Sequence, residues 1–217
     1  MAVENQQQPW AGPEISVSPS RAMSEEEFVA WCDEDTRAEW VNGEAIMMSP
    51  ANIEHILLSV WLLRVLAAFV DHHNLGVLMQ DAQLRLPGQR ARRVPDLLFV
   101  TQDRQSLIGR TAIEGPPDLI VEIVSPDSLA RDWREKYLEY QAAGVREYWV
   151  IDPASQHMEA YVLDAAQADA PYRRIEEKEG VVESVVLAGL KLRTAWLWPA
   201  GRPKVLDVLR EIGLVSG

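Results

Sequence analysis

Two carboxylates and one lysine stand where an ordinary core would not want them. Asp96 follows Pro95 in Val94-Pro95-Asp96-Leu97-Leu98-Phe99-Val100, and Glu122 interrupts Leu119-Ile120-Val121-Glu122-Ile123-Val124. Strand alternation puts Glu122 on the same face as Ile120 and Val124. An ionised carboxylate there is costly unless a proton, a cationic partner or a metal ion compensates. Magnesium suits this chemistry, because it takes hard oxygen ligands and commonly binds through one or two carboxylates, waters and substrate phosphate. Adjacent strands would bring Asp96 and Glu122 to one ion, with the carbonyl of Ile123 as a further oxygen ligand. Each acid also has a plainer role open to it: Asp96 as a strand-entry carboxylate after proline, Glu122 as half of a buried ion pair.

Lys136 is the third candidate. The chain uses 17 Arg but only 4 Lys, and Lys136 is the only lysine before Lys178. A desolvated lysine can give up its proton, whereas arginine cannot. Turned toward the sheet edge, Lys136 would orient or activate a water; turned outward, it would make a surface i,i+4 pair with Asp132. Other chemistries find little support. The single Cys32 rules out an internal disulfide and a cysteine-built zinc site. His72-His73 has no partner at metal-ligand spacing, no Gly-rich phosphate loop is present, and Ser125 lacks both a nucleophile-elbow context and a paired base.

The elements that must position these residues follow from pattern. Ser24 and Glu27 have capping-box spacing ahead of a short helix. Glu39-Trp40-Val41 and Glu44 to Met48 flank Asn42-Gly43, the strongest short hairpin signal. Asn52 can cap a long helix whose apolar residues Ile56, Leu57, Val60, Leu63, Leu66 and Val70 recur at helical spacing. Two strand-like runs follow, Val77 to Leu86 and Arg93 to Val100, and then the almost wholly apolar 118–124, which reads as a strand buried on both faces. A second helix spans about 128–143, ended by Gly144 in a left-handed cap, and leads to a strand over 146–151. Runs at 157–163, 172–176 and 182–187 read as a meander, and a helix over about 203–212 closes the chain. The order helix-strand-strand-strand-helix-strand over 52–152 predicts an α/β fold with a mixed sheet, the helix between the third and fourth strands serving as a crossover.

The chain has 217 residues and a formal charge of -12, with 47% apolar and 25% charged types. This suits one domain over 23–217, preceded by a polar, Pro/Ser-rich tail at 1–22. The acidic balance argues against a nucleic-acid-coating surface and a polybasic membrane anchor. Neither a signal peptide nor an apolar run long enough to span a bilayer is read, which predicts a cytoplasmic protein without membrane attachment.

The ordered set Val94-Pro95-Asp96, Pro117-Asp118-Leu119-Ile120-Val121-Glu122-Ile123-Val124-Ser125-Pro126, Arg131-Asp132, Lys136, Tyr140 and Gly144-Val145-Arg146-Glu147-Tyr148-Trp149-Val150-Ile151-Asp152-Pro153 resembles the Uma-two family of endonucleases. That family falls within the PD-(D/E)XK restriction-endonuclease-like superfamily, and the likeness runs over about 23–192. It implies a restriction-endonuclease-like core in which Asp96 and Glu122 bind Mg2+ or Mn2+ and a lysine assists the attacking water. The superfamily pattern sets that lysine two residues after the glutamate, where this chain has Val124; the resemblance points instead to Lys136. It also matches an upstream hairpin glutamate to Glu39 and a histidine near the first long helix to His55, as supporting residues. Gln83 is a further candidate for the same cleft. The arginines Arg90, Arg92, Arg93, Arg131 and Arg134 flank it in sequence and would meet phosphates or stay solvated. The resulting expectation is a metal-dependent endonuclease cutting DNA, working as a homodimer through the meander and C-terminal helix. The alternative is a nuclease-like scaffold that binds DNA or protein without cleaving, which the acidic balance favours.

Overall fold

The computed structural model describes residues 20–33, 35–86, 88–125, 131–164 and 171–215, with the backbone alone at 131–133. Of the tail expected at 1–22, residues 1–19 lie outside the described residues, while Ser20–Ala22 form a strand; the start of the second helix and the Asp132 side chain, with its expected Lys136 pair, also lie outside them.

The hairpin forms as its turn residues require. Strands β1 (Ser20–Ala22), β2 (Ala38–Val41) and β3 (Glu44–Met47) lie together, and Asn42 and Gly43 take the positive φ angles of 52° and 94° that a two-residue turn needs. Helix α1 (Glu25–Trp31) opens on the Ser24–Glu27 capping box. Helix α2 (Ile53–His73) is capped by the Asn52 side chain, which accepts from the His55 N–H. At 21 residues it is long and apolar enough to cross a bilayer, longer than the run read from sequence. Its buried Leu58, Leu62, Leu66 and Phe69 make it instead the helix on which the core is built.

The two long strands expected next are each broken in two. β4 (Gly76–Gln80) and β5 (Leu84–Arg85) are separated at Asp81, where φ is 51°. β6 (Ala91–Arg93) and β7 (Leu97–Thr101) are separated at Pro95, which cannot donate to a ladder. The break lets one ribbon serve two sheets. β5 and β6 join the hairpin in a sheet ordered β1-β3-β2-β6-β5-β8, with β8 at Ile113–Glu114. β4 and β7 join the main sheet with β9 (Leu119–Ile123), β10 (Glu147–Asp152), β11 (His157–Val162) and β12 (Arg173–Arg174), ordered β12-β11-β10-β9-β7-β4. β9 and β10 are parallel, joined through a π-helical turn (Arg131–Lys136) and α3 (Tyr137–Ala143), which Gly144 ends at φ 86°. The remaining neighbours in that sheet are antiparallel, so the mixed α/β reading holds.

The meander departs from expectation at its end. β13 (Val181–Glu183) leaves the main sheet and pairs with β14 (Lys191–Arg193), followed by α4 (Val205–Glu211). One core lies between the main sheet and α2, and the other lies on the α3 side, where Ile120, Val124, Leu98 and Tyr140 meet. Glu122 is thus on the face that strand alternation assigns it.

Asp118, at the entry to β9, is wholly buried and heavily donated to. Its Oδ2 accepts from the Thr101 N–H at 2.9 Å and the Thr101 hydroxyl at 3.0 Å; its Oδ1 accepts from Arg104 at 2.7 Å and Arg146 at 3.2 Å. Burial alone would raise this carboxyl, but those donors outweigh it and hold the group below the usual aspartate range. Its stabilisation is therefore complete above that range and lost as pH falls through the lowered value. Asp118→Ala is expected to cost about 3 kcal/mol near neutral pH. Urea denaturation should find the cost shrinking as the buffer is made acid.

Candidate active site

Asp96 sits where the β6–β7 ribbon crosses between sheets. Leu97 pairs with Val121 at the start of β7, and Asp96 stands just before that pairing begins, beside the end of β9 that carries Glu122 and Ile123. Asp96 is fixed at both oxygens. Oδ2 accepts from the Ile123 N–H at 2.6 Å, and Oδ1 lies 2.8 Å from His55 Nε2 at the start of α2.

Glu122 is 3% exposed, and the compensation that sequence reasoning asked for is a cation. Lys136 Nζ donates to Glu122 Oε1 at 2.9 Å, and the Tyr140 hydroxyl donates to the same oxygen at 2.7 Å. The π-helical turn sets Lys136 just ahead of α3, and Tyr140 follows four residues later on the same helix face. Burial, together with the charge on Glu122, keeps the Tyr140 hydroxyl well above the usual phenol range, so it remains a donor. Lys136 is therefore turned inward rather than left as a surface charge.

The second sheet completes the network. Glu39 on β2 is buried, with Oε1 3.4 Å from Lys136 Nζ and accepting from the Val94 N–H at 3.2 Å. Its Oε2 accepts from Arg93 at 2.9 Å. Arg93 is fully buried and also grips Glu139 of α3 through two parallel bonds of 2.8 and 2.7 Å. Burial alone would raise the Glu39 carboxyl, yet Lys136 and Arg93 prevail and hold it at about 2. Arg93 in turn keeps its charge beyond the ordinary arginine range, because Glu39 and Glu139 outweigh its burial.

Glu39, His55, Asp96, Glu122, Ile123 and Lys136 all line one cleft of about 550 Å3. The six positions expected to carry catalysis, support it or hold metal meet there. Gln83 does not join them: it accepts from Arg92 at 3.0 Å, and Arg92 also donates to Glu25. Arg93 is a buried structural cation rather than a phosphate contact. Sequence reasoning missed its role, that of Glu139, and the Arg37–Asp81 pair (3.0 Å) on the cleft wall. The available signal was spacing, since Glu139 and Tyr140 fall three and four residues after Lys136.

The donor set fits a hard divalent ion. Among the described residues no group of three acids, histidines or cysteines is close enough to form a cage. A magnesium-type ion does not need one, as it keeps several waters. Asp96, Glu122 and the Ile123 carbonyl are all oxygen donors. Among the described side chains, with His55 left out of the count, Glu39, Glu122, Glu139 and Asp96 carry two more formal charges than Lys136 and Arg93, an excess that a dication would offset.

Comparison with known proteins bears on the fold and the family. A crystal structure from Anabaena variabilis, described as a "putative nuclease belonging to DUF820", superposes with a TM-score of 0.65 at 19% identity, covering 81% of this chain and 97% of that one. An uncharacterized protein of Synechocystis sp. is 21% identical over 147 residues, which is 67% of this chain and 83% of that protein. The model of the family described as "Putative restriction endonuclease" matches residues 25–195. A nuclease-like α/β fold, shared over most of the chain with that family, leaves one assignment: the protein belongs to the Uma2 family.

Proposed function

We propose that the protein is a divalent-metal-dependent endonuclease hydrolysing DNA phosphodiester bonds. The observation that supports this best is the shared cleft: Asp96, bonded to the Ile123 N–H, and Glu122 one residue earlier on β9 both line it, with a buried lysine on Glu122. Asp96, Glu122 and the Ile123 carbonyl would hold Mg2+ or Mn2+. When bound there, the ion supplies Lewis acidity, easing deprotonation of water and offsetting phosphate charge. His55 and the Ile123 N–H keep the Asp96 carboxylate aimed into the cleft. Lys136 orients the attacking water or donates to the phosphate as negative charge grows. Glu39 keeps Lys136 in place when Glu122 turns away from it, because both acids already share the ammonium.

One observation favours a second reading. Lys136 and Tyr140 already satisfy Glu122, so the cleft is electrostatically tolerable as a scaffold that binds without cutting. Supercoiled plasmid incubated with the protein separates the two. Nicking with magnesium or manganese that stops on chelation supports cleavage. DNA retained on a filter and never nicked with either ion supports the scaffold.

A further inference from the structure

One apolar face of the fold has no partner among the described residues, and it joins two elements. Ile53, Ile56, Leu57 and Val60, at helical i, i+3, i+4 and i+7 spacing on α2, are 71, 44, 55 and 43% exposed. Beside them lies β4, the terminal strand of the main sheet. The Gln80 side chain donates to the Ser59 hydroxyl at 3.1 Å, so β4 runs under the flank of α2 that carries Ser59. At 100° per residue, the next positions round the helix from that flank are Leu63, Ile56 and Val60. Stripe and strand edge are therefore continuous.

β4 lacks the devices that usually blunt an edge. Gly76-Val77-Leu78-Met79-Gln80 carries no charge and no proline, and its apolar residues are only half-buried. Among the described residues its outward N–H and C=O groups have no ladder partner in the sheet order.

We infer that this face binds a second copy of the chain, with β4 pairing antiparallel to its own copy and the two α2 stripes meeting above it. An antiparallel strand pair about a twofold axis is self-complementary, so one surface supplies both halves of the contact. Because α2 packs on β4, the same axis brings the two helices side by side on one face of a continuous sheet. Pairing would cover the four exposed stripe residues and the free edge of β4 on each subunit, where a stable dimer buries roughly 800 Å2 per partner. Ile53, Ile56, Leu57 and Val60 are uncharged, with exposed Arg64 the one cation one turn beyond them on the same helix face, which suits an apolar copy of the stripe better than a polyanion. The expected dimer face thus moves from the meander and C-terminal helix to α2 and β4. Ile56, Ser59 and Gln80 also line the cleft, so the pairing would set two clefts along one edge.

Sedimentation velocity on the full chain over roughly 1–100 μM reads the association directly. Wild type is expected to dimerise, and Val60→Glu should weaken the dimer by more than about tenfold through like-charge repulsion. Circular dichroism melts verify that this exposed change leaves the fold intact. Leu206→Glu, an equally exposed position on α4, should leave association unchanged. Higher salt should tighten the dimer, since it screens the net charge while the contact is apolar. Hydrogen exchange in β4 should slow as concentration rises. A chain that stays monomeric throughout, or a dimer broken by Leu206→Glu and not by Val60→Glu, overturns the inference. A dimer that salt loosens does the same.

Discussion

Lys136→Met is expected to unfold the protein more readily than any other single change in the cleft, by about 3–5 kcal/mol in chemical denaturation. The size follows from what the lysine leaves behind. Glu122 and Glu39 both lie within reach of its ammonium and both are almost wholly buried. Without Lys136, the ammonium shared by both acids is gone, while Glu122 still accepts from the Tyr140 hydroxyl and Glu39 from Arg93 and the Val94 N–H. Methionine fills the space, so lost packing adds little. One signature separates this loss from a plain cavity. Magnesium should raise the melting temperature of the variant more than that of wild type, because a dication takes over part of the missing charge. A variant as stable as wild type would mean that the buried carboxylates do not depend on the lysine.

Asp96→Asn should do the reverse: it removes activity and spares the fold. The amide oxygen can still accept from the Ile123 N–H, and the amide nitrogen can still meet His55, so both contacts of the native carboxylate have successors. Stability should change by no more than about 1 kcal/mol. One of two carboxylates proposed to hold the ion is gone, however. Metal-dependent nicking should fall by at least about 10^3, the scale of losing an electrostatic contact made to developing charge. Calorimetric titration with manganese should show weakened binding in the same preparation. Undiminished nicking by this variant would remove Asp96 from the proposed chemistry. Taken together, the two variants separate the residue that holds the site together from the residue that is proposed to use it.

Much of this arrangement was legible because it violates local rules. A glutamate inside an apolar strand and an aspartate after a strand-breaking proline are conflicts that a purely structural segment avoids, and both fall in the cleft. Asn42-Gly43 and Asn52 carry their own backbone chemistry, so the hairpin and the start of α2 could be read directly. The broken strands could not. Apolar alternation continues through Val77 to Leu86, and only the left-handed backbone at Asp81 sends the second half to another sheet. Which sheet receives it depends on long-range pairing that no short window contains. Arg93 was hidden for a similar reason. It ends a basic stretch that looks solvated, and its partners Glu39 and Glu139 come from segments far away on either side.

That buried chain of charges has a kinetic consequence. Glu39, Arg93, Glu122 and Lys136 come from four separate stretches, and each loses its water only when the others arrive. A half-assembled cluster strands charge in a drying interior, so its members have little reason to settle one at a time. Docking of the hairpin sheet onto the main sheet is thereby tied to the final desolvation, late in folding. Once closed, the same lock obliges the two sheets to part in concert.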